Sequence, residues 1–171
     1  REVEHHKEHG DGYLLFKMNA LVDQGCIKAL YRASQAGVKI DLLVRGICCL
    51  RPQVEGVSEN IRVYSIVGRF LEHARVYYFH NGGEDEILLG SADMMPRNLH
   101  RRVESLFPVE DEIIRKAILE KILAIQLRDT VKAREMLADG SYVKRTPAEG
   151  EEPINSQEWL IKHRGSWHYE E

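Results

Sequence analysis

A short apolar run at residues 13–16, a helical pattern at 23–36 and a second apolar run at 38–44 follow one another closely, and this succession constrains the chain more than any other feature. In the middle segment Ile27, Leu30, Tyr31 and Ser34 fall at helical spacing, and Gly37 stands where a helix can end in the left-handed region. The run 38–44 is apolar enough to be covered on both faces, as a strand of a parallel sheet flanked by helices must be. Strand, helix and parallel strand make a β-α-β unit, which predicts an α/β domain. Loops that follow parallel strands are where such domains bind ligands. Lys17 and Asn19 after the first strand, and Arg45 after the second, are therefore candidate phosphate-binding residues, with helix capping as the other use for Asn19.

The remaining pattern extends the sheet. Residues 61–67 read as a strand after a loop whose Pro52 forbids a central strand. Segments 75–79 and 86–89 read as a hairpin around Asn81-Gly82, residues 94–98 as a short turn or helical stretch, and 102–107 as a returning strand stopped by Pro108. Over 110–127, Ile114, Ile118, Ile122 and Ile125 share one side and Glu112 lies four residues before Lys116, the pattern of an amphipathic helix. Residues 130–137 read as a second helical stretch and 142–145 as a short extended piece. The expected fold class is α/β, a mixed sheet with helices on both faces, over 1–147, with an acidic polar tail at 148–171 that holds a short helix around Trp159.

A chain of 171 residues suits one domain. No stretch approaches the roughly 18 apolar residues of a membrane span, and residues 1–12 do not read as a signal peptide. Cys26, Cys48 and Cys49 are an odd count with two adjacent, which suggests packing residues and a reducing cytoplasmic location. The net charge is −3, of which the tail carries −4, so the body is close to neutral. Bulk nucleic-acid binding is not expected, and any anion site must be local; 15 of the 24 cations are arginine, the side chain that forks around phosphate. His5, His6 and His9 lack an accompanying carboxylate shell and read as a flexible polar terminus, so no metal ligands are expected in the chain.

His73 stands just before the strand at 75–79, with Arg75 two residues on and on the same side. A histidine beside an arginine suits phosphoryl chemistry: the imidazole serves as nucleophile or general acid while the guanidinium holds phosphate oxygens. In a strand 102–107, Arg102 and Glu104 share a face, and a Glu104 carboxylate accepting from one ring nitrogen would fix the tautomer of His73; a surface ion pair of Glu104 with Arg101 or Arg102 is the other reading. Arg51, Arg69, Arg97 and Arg102 are further candidates for contacting a polyanion. The segment resembles the phospholipase D signature, His-x-Lys followed by an acid and by Gly-Ser, with Arg75 at the lysine, His80 at the acid, and Gly90-Ser91-Ala92-Asp93 as the distal part.

Five further runs carry a closer resemblance: 16–23 (FKMNALVD), 43–52 (LVRGICCLRP), 58–61 (SENI), 65–73 (SIVGRFLEH), and 91–93 (SAD) through Arg97-Asn98 to 101–103 (RRV). Over about residues 10–147 the chain is similar to the carboxy-terminal domain of bacterial polyphosphate kinase. That resemblance implies a phospholipase D-like fold and an enzyme that reversibly transfers the terminal phosphate of ATP to inorganic polyphosphate through a phosphohistidine, with magnesium. It places the family's second active-site histidine on His73 and its nucleotide-phosphate arginine on Arg45. It also implies that the nucleophile lies in a preceding domain of the same polypeptide, that ATP, ADP and polyphosphate are the partners of a homo-oligomer, and that the isolated chain is inactive. The alternatives are a phospholipase D-like phosphodiesterase and a non-catalytic polyanion-binding module.

Overall fold

The computed structural model describes residues 1–165. Its centre is an eight-stranded sheet in the order β6-β5-β4-β1-β2-β3-β7-β8. The strands are β1 (Tyr13–Met18), β2 (Lys39–Val44), β3 (Ile61–Ile66), β4 (Arg75–Phe79), β5 (Glu86–Gly90), β6 (Leu106–Pro108), β7 (Ala133–Met136) and β8 (Tyr142–Lys144). The pairs β1–β2 and β2–β3 are parallel and all the others antiparallel, so the sheet is mixed as expected.

Alternation along β1 builds two cores. Leu14, Phe16 and Met18 face one side, where they meet Ile27, Leu30 and Ala33 of helix α2 (Gln24–Gln35); Leu15 faces the other with Leu43, Tyr78, Ile118 and Leu123. Asp23 caps α2 by accepting from the Cys26 backbone N–H at 2.9 Å. Gly37, at φ 99°, closes its far end: the N–H groups of Gly37 and Val38 return to the carbonyls of Ser34 and Ala33. On the second face α4 (Glu112–Lys116), a π-helical segment Ala117–Leu123 and α5 (Ala124–Leu127) run on without a break. Ile118 and Ile125 of this run are buried, whereas Ile114, in its first turns, is exposed rather than part of the buried stripe.

Several sequence expectations need correction. The histidine-rich start is a helix, α1 (Glu2–His9), tied down by the buried Glu2 carboxylate, which accepts from the N–H groups of Tyr13 and Asn81, both at 2.9 Å. The turn or helical stretch expected at 94–98 is a helix, α3 (Pro96–Arg101), that runs three residues further. Strand β6 covers only Leu106–Pro108, so Arg102 and Glu104 lie in the preceding loop; Pro108 is inside the strand, which an edge position tolerates. Residues 130–137 are no helix. The N–H groups of Val131, Lys132 and Ala133 all turn onto the Asp129 carboxylate, and the chain then enters β7, paired on both sides.

The tail is not an appendage. The N–H groups of Thr130 and Val131 both donate to the Ile154 carbonyl, and α6 (Ser156–Lys162) is seated by Asp129, whose Oδ2 accepts from the Ser156 N–H at 2.8 Å and from its hydroxyl at 2.7 Å. The boundary expected at 147 therefore falls short of the packed unit. Glu170 and Glu171 of the acidic tail lie outside the described residues.

Candidate active site

Register fixes what the sheet can gather at one edge. Met18 pairs with Val44, Lys17 with Val76 and Arg75 with Gly90, so the ends of β1, β2 and β5 and the start of β4 lie side by side. Asn19, Arg45, the loop 67–74 that carries His73, and the Ser91–Asp93 segment all emerge there. This is the carboxyl end of the parallel strands, where α/β sheets bind ligands.

Asp93 organises the edge. Its Oδ1 accepts from the Asn19 N–H at 2.7 Å, and the carboxylate grips the Arg75 guanidinium through Nε at 3.2 Å and Nη2 at 3.1 Å. Burial pushes the Asp93 carboxyl up, yet the Arg75 hydrogen bonds and charge and the backbone N–H of Asn19 hold it below the usual carboxylate range. Asn19 is not a cap: its Oδ1 accepts from Arg45 Nε at 3.1 Å and Nη2 at 2.9 Å, and its Nδ2 is buried without a partner among the described residues. Lys17 donates to Glu72 at 2.7 Å, and Glu72 also accepts from Gln126 and Gln157, each at 2.8 Å. Lys17 thus anchors the His73 loop instead of standing open for phosphate.

The cations at this edge divide accordingly. Lys17 and Arg75 are each neutralised by a carboxylate, whereas no carboxylate pairs with Arg45 among the described residues. An arginine oriented by a neutral amide keeps its full charge and its remaining donors for an external anion. His73 is exposed, and its ring has no hydrogen-bond partner among the described residues; only its backbone carbonyl is held, by Arg75 Nη1 at 2.8 Å.

The expected contact between Glu104 and His73 is not made. Glu104 accepts from the Ser91 hydroxyl and the Asn98 amide and lies 3.6 Å from Arg102 Nε, and the two hydrogen bonds hold its carboxyl below the usual range. With 102–105 outside any strand, the two-residue alternation that would have aimed Glu104 at His73 does not apply. Arg102 and Arg97 are exposed; Arg51 donates from Nε to the Ala138 carbonyl at 2.8 Å; Arg69 lies 3.9 Å from Glu158 and over the Phe70 ring. His80 sits at the opposite end of β4 between Asp11 and Asp85, far along the strand from His73. Cys48 packs against the first core, and Cys49 is exposed. Sequence reading missed Glu72, Gln126, Asp129 and Gln157, whose roles depend on pairings distant in the chain. Asp93 stood in a quoted motif without a role of its own.

Comparison with known proteins assigns the family. The model of polyphosphate kinase C-terminal domain 2 matches residues 1–157. The chain belongs to that family. It is 58% identical over 157 residues to a polyphosphate kinase of Synechocystis sp., covering 92% of this chain and 21% of the relative, and 57% identical over 166 residues to that of Prosthecochloris aestuarii, covering 95% and 22%. The crystal structure of polyphosphate kinase from Porphyromonas gingivalis superposes with a TM-score of 0.92 at 44% identity, covering 97% of this chain and 25% of that one. The α/β, phospholipase D-like fold class read from the sequence is the fold observed. The chain spans about a fifth of the length of these curated relatives.

At the edge of this polyphosphate kinase domain 2, Arg45 has no carboxylate partner among the described residues and His73 is exposed. Among the described residues no group of three or more His, Cys, Asp or Glu could hold a metal ion. No helix among the described residues is long and apolar enough to cross a membrane.

Proposed function

We propose that this chain forms one wall of the phosphotransfer site of a polyphosphate kinase, in which the terminal phosphate of ATP passes reversibly to inorganic polyphosphate. The observation that carries the reading is Arg45: a cation at the ligand-binding edge, oriented by Asn19 and paired with no carboxylate among the described residues, while its neighbours Lys17 and Arg75 are both neutralised. The Arg45 fork binds a phosphate of nucleotide or polyphosphate. His73, exposed and with a ring unbonded among the described residues, meets the transferred phosphate as a proton donor or as a stabilising cation. Arg97 and Arg102, on and just after α3, extend the basic surface toward a polyanion; Arg51 and Arg69 are already engaged and contribute less. The phosphohistidine nucleophile and the ATP-bound magnesium belong, in this reading, to the preceding part of a cytoplasmic, homo-oligomeric enzyme.

The phospholipase D-like phosphodiesterase reading is less well supported, because Arg75 at the lysine position is held by Asp93 and His80 at the acid position lies at the other end of β4. The test is Arg45→Ala in the complete enzyme, with binding of ATP and of polyphosphate measured by calorimetry. Loss of a hydrogen-bonded charge contact should weaken affinity by about 1.5–3 kcal/mol, and Arg45→Lys should restore only part of it because the fork is gone. Unchanged affinity for both ligands would refute the assignment.

A further inference from the structure

The loop 67–74 presents His73, yet among the described residues no backbone–backbone hydrogen bond fixes it between the end of β3 and the start of β4. What holds it is side chains, and one of them is central. Gln157, in the first turn of α6, is 5% exposed and spends its whole carboxamide on this loop. Its Oε1 accepts from the Phe70 N–H at 2.9 Å; its Nε2 donates to the Phe70 carbonyl at 2.9 Å and to Glu72 Oε1 at 2.8 Å. The amide therefore stands in for a missing strand neighbour, pairing with both backbone groups of one residue as a β-bridge would. Glu72, immediately before His73, is fixed from its other oxygen by Lys17 of β1 and Gln126 of α5. Gly68 makes room for this clamp: a Cβ there would collide with Gln157 Oε1.

We propose that Gln157 is a positioning residue for phosphotransfer, holding the loop that presents His73 to the transferred phosphate. The inference rests on the reading of His73 given above. An exposed histidine whose ring has no partner among the described residues owes its position to its backbone, and displacement of a reacting group by about 1 Å can cost about a hundredfold in rate. Arg45 leaves the sheet from β2, on a separate loop held by Asn19, so the nucleotide contact does not depend on the clamp. Nor does the seat of α6, which Asp129 secures through Ser156. Loss of the Gln157 amide should thus free the His73 loop while the helix stays docked.

The experiment uses the complete polyphosphate kinase that contains this chain. Gln157→Ala should lower kcat for polyphosphate synthesis about ten- to hundredfold, with the KM for ATP within twofold and the thermal midpoint little changed. Gly68→Ala, which pushes the amide away from the loop side, should do the same and serves as an independent variant if Gln157→Ala folds poorly. In a His73→Ala background neither change should lower the residual rate further, because both act through the histidine. If His73→Ala is crippled while Gln157→Ala and Gly68→Ala turn over within twofold of wild type, the positioning role alone is overturned. A further loss in the His73→Ala background also overturns it, and full activity of His73→Ala overturns the reading of the site and this role together.

Discussion

Asp93 links two jobs that no local pattern announces: it holds the backbone of Asn19, which in turn orients Arg45, and it withdraws the charge of Arg75 from the site. The Arg75 and Asp93 side chains are 21% and 9% exposed, so removing one partner strands a charge in poor solvent. Asp93→Ala should cost about 2–3 kcal/mol, somewhat less than a fully buried pair because Arg75 keeps some contact with water. Urea unfolding checks the stability loss. Nucleotide binding should weaken in the same variant, since the Asn19 turn loses its anchor, and unaltered affinity would show that Arg45 is placed without it. At this scale the position of Arg45 at a strand end was legible, because it follows an apolar run that forms β2; its partner Asn19 was not. Lys17 was read from the same kind of position and is spent on Glu72, a partner 55 residues away that periodicity cannot reveal. Glu104 failed for a different reason: its aim depended on a strand beginning at residue 102, four residues before β6 does.

The strands β1 to β5 and helix α2 could be read because their signals are local: alternation, a capping aspartate, a left-handed glycine and an Asn-Gly turn. Segment 130–137 could not, since its helical appearance is overridden by tertiary contacts. Asp129 is fully buried, and its carboxylate accepts from the N–H groups of Val131, Lys132, Ala133 and Ser156 and from the Ser156 hydroxyl, which bends the chain into β7 and docks α6 together. Burial pushes the Asp129 carboxyl up, but these donors, led by the Ser156 N–H, hold it below the usual range. The sign of the linkage follows. A depressed folded pKa means stabilisation that is complete above the unfolded carboxylate value of about 3.9 and is lost as pH falls through the lower folded value. Asp129→Asn should remove about 2–3 kcal/mol at neutral pH, as hydrogen bonds to a charged group are replaced by weaker ones. Denaturant titrations from pH 7 to pH 2 should show the gap between wild type and variant narrowing only below about pH 4. A gap constant across that range would place the stabilisation elsewhere.

At the scale of the whole molecule, the packed core and the candidate site differ in how much of each this chain contains. Two cores on opposite faces of one sheet, enclosed by α2 on one side and by the helical run 112–127 on the other, bury Leu15, Leu42, Ile61 and Leu123 almost completely, which is enough to stabilise an isolated domain of this size. The site, by contrast, is a single edge. Among the described residues it holds an arginine, Arg45, that no carboxylate pairs with and a histidine, His73, whose ring is unbonded, and the chain accounts for about a fifth of the length of its polyphosphate kinase relatives. Transfer through a phosphoenzyme needs a nucleophile held in line with the donor phosphate, and among the described residues no hydrogen bond orients the His73 ring for attack. The isolated 171-residue chain should therefore unfold cooperatively in urea yet neither take label from γ-labelled ATP with magnesium nor extend polyphosphate. Stoichiometric acid-labile label on the isolated chain would contradict this and make His73 a nucleophile in its own right. Label that appears only when the preceding part of the polypeptide is supplied, and that resides there, would assign this chain the receiving wall, with Arg45 holding the phosphate and His73 facing it across the cleft.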